Sequence, residues 1–225
     1  MPPPDVFDVV CDRVVDRAAV HPTRVAIDGI TAAGKTTFAE ALAGALRARG
    51  RSVIRVSMDG FHFPRAVRYR QGRGSADGYY EDAYNLTTMR RVLLDPLGPG
   101  GDRRYRPAVI DLATDDPVDE PPRVANMDDV LVVDGSFLQR PELRNGWDFV
   151  VYLRTSFEAA ETRGARRDVD ALGGLDAARS VFRTRYHAAQ RRYLAECGPE
   201  TNADLVIDVE DPSAPTLVRQ STARP

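Results

Sequence analysis

A glycine-rich segment at residues 29–37 carries side chains that could bind a phosphate. It reads GITAAGKTT and fits the pattern G-x-x-x-x-G-K-[ST], in which glycines let the backbone curve so that its N–H groups point at an anion. Lys35 is predicted to bridge the β- and γ-phosphates of ATP, and the Thr36 hydroxyl to bind Mg²⁺. The residues predicted to contact the nucleotide are Gly29, Ile30, Thr31, Ala32, Ala33, Gly34, Lys35, Thr36 and Thr37.

The lysine of this segment supports the phosphate-binding interpretation. Lys35 is the only lysine among the 31 basic residues of the chain. A guanidinium is a bulky planar fork, whereas an ammonium is a compact charge on a slim stem. A backbone loop that closes around a phosphate therefore has room for lysine, although arginine serves everywhere else.

The segment lies between a predicted strand and a predicted helix, which is the context that this pattern requires. Branched apolar residues predict a buried strand over 24–28, and TTFAEALAGALRAR has helical spacing. The runs SVIRVSM, VLVVDG, WDFVVYLR and ADLVIDV predict further strands that alternate with helices. We therefore expect an α/β, three-layer P-loop NTPase fold with about five parallel strands and helices on both faces. Asp134, at the end of one strand, is predicted to hold the metal with Thr36.

The predicted organisation is a single P-loop domain over residues 1–211, followed by a flexible tail at 212–225. A long polar and aromatic insert follows the second strand, at about 59–122, and includes a possible hairpin over 104–122. Further helices are predicted at 5–19, 86–94, 156–167 and 175–196, of which the last two are joined by glycines.

Composition excludes several classes of function. The net charge of −2 offers no general attraction to nucleic acid or to a membrane surface, and no apolar run is long enough to cross a bilayer. The two cysteines are too few for a disulfide framework, which fits a reducing compartment. We expect a cytoplasmic protein whose partner is a small-molecule substrate, and a homo-oligomer is compatible with the sequence.

Several motifs together resemble the uridine kinase family, which belongs with phosphoribulokinase and bacterial pantothenate kinase in one group of P-loop kinases. In chain order they are GITAAGKTT, VSMDGFHFP, GYYEDAYN followed by LLDPL, VLVVDGSFL, RGARRD and NADLVID. These motifs extend over nearly the whole chain from Val25 to Asp208. The resemblance implies ATP-dependent phosphoryl transfer to a hydroxyl group of a small molecule, most readily a nucleoside such as uridine.

The resemblance also implies roles for single residues. Asp59 matches the acidic residue that accepts the proton of the attacking hydroxyl, as a carboxylate beside Mg²⁺ and Lys35 could. Arg163 and Arg167, together with Arg166, match a lid at about 163–176 that closes over the triphosphate. In a chain so rich in arginine, such a row is equally compatible with a solvated helix face.

For the acceptor pocket the sequence offers carboxylates to pair with hydroxyl groups and aromatic rings for stacking. Arg185 aligns roughly with a sugar-contacting position of the family. The predicted acceptor residues are His62, Asp77, Tyr79, Tyr80, Asp82, Tyr105 and Arg185.

The chain departs from the family where the pyrimidine is recognised. The family uses a tyrosine and a histidine there, and this chain has Ile110 and Asp115. An unmatched base edge would cost about 1–3 kcal/mol per group. Two alternatives therefore stay open: a kinase of another hydroxylated metabolite, such as a sugar or a pantothenate-like molecule, and a non-catalytic nucleotide-binding regulatory protein.

Overall fold

The computed structural model describes residues 5–17 and 20–220. Its main sheet has six strands in the order β2-β5-β1-β6-β7-β8, and all neighbouring pairs are parallel except the last. A separate two-stranded sheet pairs β3 with β4. The strands are β1 (Thr23–Gly29), β2 (Val53–Ser57), β3 (Arg104–Tyr105), β4 (Arg123–Val124), β5 (Val130–Gly135), β6 (Phe149–Arg154), β7 (Leu205–Asp208) and β8 (Thr216–Gln220).

Helices cover both faces of the main sheet. Two helical stretches pass through a π-helical segment, at Arg90–Leu94 after α5 and at Phe182–Tyr186 between α7 and α8. The helices are α1 (Val6–Val15), α2 (Lys35–Ala48), α3 (Arg65–Arg68), α4 (Ala76–Glu81), α5 (Leu86–Met89), α6 (Phe157–Arg167), α7 (Leu175–Val181), α8 (His187–Cys197) and α9 (Pro199–Asn202). In the described part of the chain, no helix is both long enough and apolar enough to cross a bilayer.

The alternation of side chains along β1 explains the three layers. Val25 and Ile27 pack with Phe38 and other residues of α1 and α2 on one face. Ala26 faces the other side, where Met89 and the neighbouring residues of α5 form a second core. Because both faces are covered, every residue of β1 and β5 is buried. The predicted three-layer α/β fold is confirmed.

The register of the central strands brings three chain segments to one edge of the sheet. Ile27 lies opposite Asp134, and Asp134 lies opposite Ser57. The carboxyl ends of β1, β5 and β2 are therefore adjacent, so the glycine-rich segment, Asp134 and Asp59 meet there, as expected for an open parallel sheet.

Two local predictions differ from the structure. The expected hairpin over 104–122 is reduced to two residue pairs, between Arg104–Tyr105 and Arg123–Val124, and to one isolated bridge between Ile110 and Pro117. Pro107, Pro117, Pro121 and Pro122 lie along this segment and cannot donate to a ladder, which explains why it stays short.

The segment predicted as a flexible tail contains a strand. Thr216–Gln220 pairs antiparallel with β7, whose edge would otherwise present unpaired backbone groups. Arg219 fastens it by donating to the carbonyl of Ala203 at 2.9 Å. The remainder of that tail, 221–225, and the end of the predicted first helix, 18–19, lie outside the described residues.

Candidate active site

The glycine-rich segment forms a curved loop between β1 and α2. Ala32 and Gly34 adopt positive φ angles of 66° and 87°, and they turn the backbone into the first turn of the helix. A Cβ atom on Gly34 would meet nothing within 4 Å, so its backbone conformation, and not crowding, favours glycine there. Lys35 folds back over the loop and donates to the Ile30 carbonyl at 2.8 Å. The loop has the form of a phosphate cradle at a helix N-terminus.

A buried carboxylate anchors the base of this loop. Asp28 is fully buried and accepts hydrogen bonds from the Gly29 amide at 2.8 Å, from Gln139 Nε2 at 3.0 Å and from the Tyr193 hydroxyl at 2.5 Å. Burial raises the pKa of Asp28, although these three donors oppose the rise. The network ties the loop to α8, a contact that the sequence did not predict.

The predicted metal-binding pair is assembled beside the loop. The Thr36 hydroxyl donates to Asp134 Oδ2 at 2.6 Å, and Arg55 Nη2 donates to Asp134 Oδ1 at 2.8 Å. Arg55 was not predicted; its side chain is mostly buried and neutralises a carboxylate that is itself buried.

The residues present fit Mg²⁺. Among residues 5–17 and 20–220, no group of three or more His, Cys, Asp or Glu residues could hold a metal by itself. Mg²⁺ is usually held by one or two protein oxygens, with phosphates and water as its other ligands. Thr36 and Asp134 would hold the ion, which would supply charge neutralisation at the phosphates.

The buried position of Lys35 disfavours its charged ammonium form. Burial lowers the pKa of Lys35 to about 8, an effect partly opposed by the carboxylates of Asp28, Asp134 and Asp59. Arg167 adds a small effect in the same direction as burial. An anion bound in the loop would raise the pKa of Lys35 again, because it favours the charged ammonium.

A cavity of about 620 Å³ opens from the loop toward the insert. Its wall includes Thr31, Lys35, Thr36, Asp59, His62 and Asp134. This volume lies within the range of small-molecule sites in proteins. The cavity therefore joins the phosphate loop, the metal-binding pair and the candidate base in one space, which we call the cleft.

Asp59 reaches the cleft because of the short turn that carries it. Met58 and Phe61 of this turn are fully buried, whereas the Asp59 side chain is 63% exposed. His62 Nε2 lies 3.5 Å from Asp59 Oδ1, while its Nδ1 lies 2.8 Å from the Ala83 carbonyl. The pKa of Asp59 is lowered mainly by His62. Asp59 is therefore ionised at neutral pH and can accept a hydrogen bond from a hydroxyl group.

A second, mostly apolar cavity of about 450 Å³ lies on the other side of the loop. Its wall includes Gly34, Phe38, Val209 and Pro212, together with the predicted lid residue Arg163. An apolar space beside the phosphate cradle suits the base of a nucleotide. We call it the second cavity.

The two arginines that were predicted to act from a lid take different positions. Arg163 donates to the Val209 carbonyl at 3.1 Å and to the Thr155 hydroxyl at 2.7 Å, so it braces the chain after β7 and is absent from the cleft wall. Arg167 lines both cavities and pairs with Asp168 at 2.7 Å. Arg167 therefore lies between the two cavities, whereas Arg163 lines the second cavity alone.

The structure brings three of the seven predicted acceptor residues into the cleft. They are His62, Tyr79 and Arg185. The Tyr79 hydroxyl also lies 3.3 Å from Thr31 Oγ1 of the loop. Tyr79 thus connects the glycine-rich loop to the part of the cleft wall that contains His62 and Arg185, which we call the acceptor side.

The other four predicted acceptor residues do not line the cleft, contrary to the expectation that the acceptor pocket would bring them together. Asp77 pairs with Arg192 at 3.0 Å. The remaining three are held by other partners or by packing: Asp82 accepts from Arg70 and Gln71, the Tyr80 hydroxyl donates to Glu196, and Tyr105 is packed in the core beneath the insert. Each of the two carboxylates already accepts hydrogen bonds from nearby donors outside the cleft.

The cleft contains cationic and aromatic residues that sequence reasoning missed. Arg65, Arg68, Tyr69 and Arg73 all line it, and they come from the segment FPRAVRYRQGR. The density of arginine in that segment was the available signal. Asp115, one of the two positions where the family's pyrimidine contacts are missing, binds Arg68 at 2.7 Å.

Ile110, the other position where the family contacts the pyrimidine, is buried and so cannot contact a base. Ile110 is 5% exposed, and its amide donates to the Gly60 carbonyl at 3.2 Å. A Cβ atom on Gly60 would lie 2.8 Å from that of Ala108, so this close backbone contact requires glycine. The contact fixes the insert beside Asp59.

Solved structures of P-loop kinases share this fold. A protein described as a possible uridine kinase from Bacillus stearothermophilus is 26% identical, with a TM-score of 0.70 over 89% of this chain and 96% of that one. Phosphoribulokinase from Rhodobacter spheroides is 19% identical, with a TM-score of 0.58 over 91% and 76% of the two chains. D-glycerate 3-kinase from Cryptococcus neoformans is 12% identical, with a TM-score of 0.57 over 94% and 96%. No protein-family model and no curated protein matches the chain.

Proposed function

We propose that this chain, as a member of the group of P-loop kinases that contains uridine kinase and phosphoribulokinase, transfers the γ-phosphoryl group of ATP to a hydroxyl group of a small molecule. The single observation that carries the proposal is that Lys35, Thr36, Asp134 and Asp59 line one cavity. A protein that only bound a nucleotide would need the first three residues and not the fourth.

The transfer follows from the positions of these residues. The oxygen of the acceptor hydroxyl forms a bond to the γ-phosphorus, the bond from that phosphorus to the bridging oxygen breaks, and ADP leaves. The hydroxyl proton passes to the Asp59 carboxylate. Since the pKa of Asp59 is lowered, its main contribution is to orient the hydroxyl, and it takes the proton late, as a loose transition state allows.

Cations in the cleft would neutralise charge on the transferred group. Lys35 contacts the loop backbone in the free protein and would move onto the β- and γ-phosphates. Arg167 lies at the junction of the two cavities, where an arginine can stabilise charge that develops during transfer. Both are therefore assigned to phosphoryl transfer, and the second cavity is assigned to the adenine.

The acceptor is a separate question. A nucleoside such as uridine is what the family resemblance predicts, but the two residues at the pyrimidine positions offer little support for it. Ile110 is apolar and buried, and Asp115 is engaged by Arg65 and Arg68. These contacts favour the alternative, a hydroxylated metabolite that is not a pyrimidine nucleoside.

The decisive variant is Asp59→Asn, assayed for ADP release with a panel of hydroxylated acceptors and for ATP–Mg binding by calorimetry. We expect binding close to that of the wild type and turnover lower by about 10²–10⁴-fold. Asp8→Asn is the matched control, because its side chain is 64% exposed, like that of Asp59, but lies on α1. The control should retain full turnover.

Two results would contradict the proposal. Turnover unchanged in Asp59→Asn would remove this carboxylate from the reaction. Tight ATP–Mg binding with no ADP release for any acceptor would instead favour the regulatory protein, which binds the nucleotide without using it.

A further inference from the structure

Arg185 is a buried cation without an acidic partner. The residue is 9% exposed and lines the cleft. Its guanidinium carbon lies 5.0 Å from the ring centre of Tyr79 and 5.3 Å from those of Tyr69 and Tyr186. Its Nε atom has no hydrogen-bond partner, and no carboxylate of the described chain forms an ion pair with it. The aromatic cage holds the charge in place but leaves its hydrogen-bond donors unused.

A second arginine lies beside the ring of Tyr69. Arg73 lies 5.1 Å from the ring centre of Tyr69, lines the cleft and, within residues 5–17 and 20–220, pairs with no carboxylate. Arg68 approaches the same ring at 5.2 Å, but Asp115 already neutralises it. Burial acts to raise the pKa of the Tyr69 phenol, yet the hydrogen bond from Arg68 and the charges of these arginines lower it. The potential around this ring is therefore positive.

A count of charges in the cleft shows that Arg73 and Arg185 have no anionic partner there. Six cationic and two anionic side chains line it. Arg65 and Arg68 share Asp115, and Arg167 has Asp168. Lys35 serves the triphosphate in the proposed function. What remains on the acceptor side is the pair Arg73, which is exposed, and Arg185, which is buried. A neutral sugar or base would leave the buried Arg185 without a counter-charge.

An unpaired buried guanidinium is unfavourable by itself and becomes favourable when an anion binds it. Charge-assisted hydrogen bonds to a phosphate or a carboxylate are the strong ones, and arginine presents a fork that matches either group. The carboxylates that would hold a neutral polyol, Asp77 and Asp82, are engaged outside the cleft. The acceptor side of the cleft is thus arranged for an anion.

We propose that the acceptor carries an anionic group, either a phosphate monoester or a carboxylate, which Arg185 and Arg73 bind beside Tyr69 while the acceptor hydroxyl lies at Asp59. This inference rests on the proposed kinase function and defines its substrate class. It places a phosphorylated sugar or a hydroxy acid ahead of a nucleoside. A phosphate and a carboxylate share the chemistry that the two arginines recognise.

The test compares compounds that differ in the anionic group alone. Glycerol is compared with glycerol phosphate and with glycerate, and ribose with ribose phosphate; uridine is added as the nucleoside. ADP release by the full-length protein is measured with each compound. We expect the anionic members to be phosphorylated with the higher kcat/KM, and the phosphate and carboxylate arms identify which anion is preferred.

Arg185→Met tests the site itself. We expect the KM for the anionic acceptor to rise about tenfold to a hundredfold, because a charge-assisted interaction is lost, with ATP–Mg binding unchanged. Arg183→Met is the control, since Arg183 pairs with Glu161 outside the cleft. An unaltered KM for the anionic acceptor in Arg185→Met would overturn the inference. A loss of ATP–Mg affinity in place of the KM effect would also overturn it, because it would assign Arg185 to the nucleotide.

A binding measurement separates this inference from the kinase function. The protein is saturated with a non-hydrolysable ATP analogue and Mg²⁺. Each compound is then titrated separately by calorimetry, and inorganic phosphate is titrated as one further anionic probe. Binding by the anionic probes that Arg185→Met removes supports the subsite even if no ADP is released. Equal binding by neutral and anionic compounds, or no binding by the anionic ones, overturns the inference. ADP release with neutral acceptors alone also overturns the inference but leaves the kinase function intact.

Discussion

Nucleotide binding should depend on pH in a range where an ordinary lysine would not titrate. Burial lowers the pKa of Lys35 from 10.5 to about 8 in the free protein. The ammonium form is the one that can bridge two phosphates. As the pH rises through about 8, a growing fraction of the free protein has a neutral Lys35 and must take up a proton to bind ATP–Mg.

The size of the effect follows from that pKa. The negative triphosphate favours the ammonium, so the bound lysine should keep its charge to at least its ordinary pKa of 10.5. The apparent dissociation constant is then the intrinsic one divided by the protonated fraction of the free protein. It should roughly double between pH 7 and pH 8 and rise about tenfold between pH 7 and pH 9, which is about 1.4 kcal/mol.

Calorimetry measures both the affinity and the proton. Titrations of ATP–Mg at pH 7, 8 and 9, each in two buffers with different ionisation enthalpies, give the dissociation constant and the number of protons bound. We expect uptake of about 0.9 proton per nucleotide at pH 9 and about 0.1 at pH 7. A dissociation constant that is constant over this range, with no proton uptake at pH 9, would refute the reasoning.

Three substitutions test how the site is supported. Arg55→Met leaves the buried carboxylate at the end of β5 without its cation and should lower the free energy of unfolding by about 3–5 kcal/mol in urea denaturation; a cost below about 1 kcal/mol would contradict the pairing. Gly164→Ala would place a Cβ 2.0 Å from the ring of Phe182, so α6, which carries Arg167, must shift and turnover should fall by up to about 10²-fold, whereas Gly44→Ala, with nothing within 4 Å, should be tolerated. Tyr193→Phe removes a donor to the buried acid below the loop and should cost about 1–3 kcal/mol in the same denaturation assay, which an unchanged midpoint would contradict.

The fold and the phosphate loop could be predicted because their signals are local. Residues 29–37 combine a loop pattern with a flanking strand and helix, and short-range chemistry dictates each part. The run that ends at Asp134 is apolar throughout, which indicates a strand covered on both faces. Since the carboxyl ends of parallel strands share one edge, the proximity of Asp134 to the loop follows from the fold class.

The acceptor side could not be predicted because its contacts are distant in sequence. Asp77 looked available for a hydroxyl group, but Arg192, 115 residues later, takes it. Arg185 and Tyr79 are likewise far apart in the chain and meet because α4 packs against the π-helical segment Phe182–Tyr186. In a chain with this many arginines, the sequence does not show which of them have partners.

The antiparallel strand β8 shows another limit. Its residues Leu217 and Val218 are still more than one third exposed, so no strong apolar pattern marked them. The strand forms because β7 offers an unpaired edge, which is a property of the assembled sheet and not of the segment itself.

The most direct test of the central claim follows the phosphoryl group itself. The protein is incubated with Mg²⁺, ATP radiolabelled in the γ-phosphate and a mixture of glycerol phosphate, glycerate, ribose phosphate and uridine, and the products are separated by chromatography. We predict that the label appears in a small organic product with wild-type protein and is lost from that product in Asp59→Asn. Label found only in ATP or in inorganic phosphate, from protein that demonstrably binds ATP–Mg, would contradict the account.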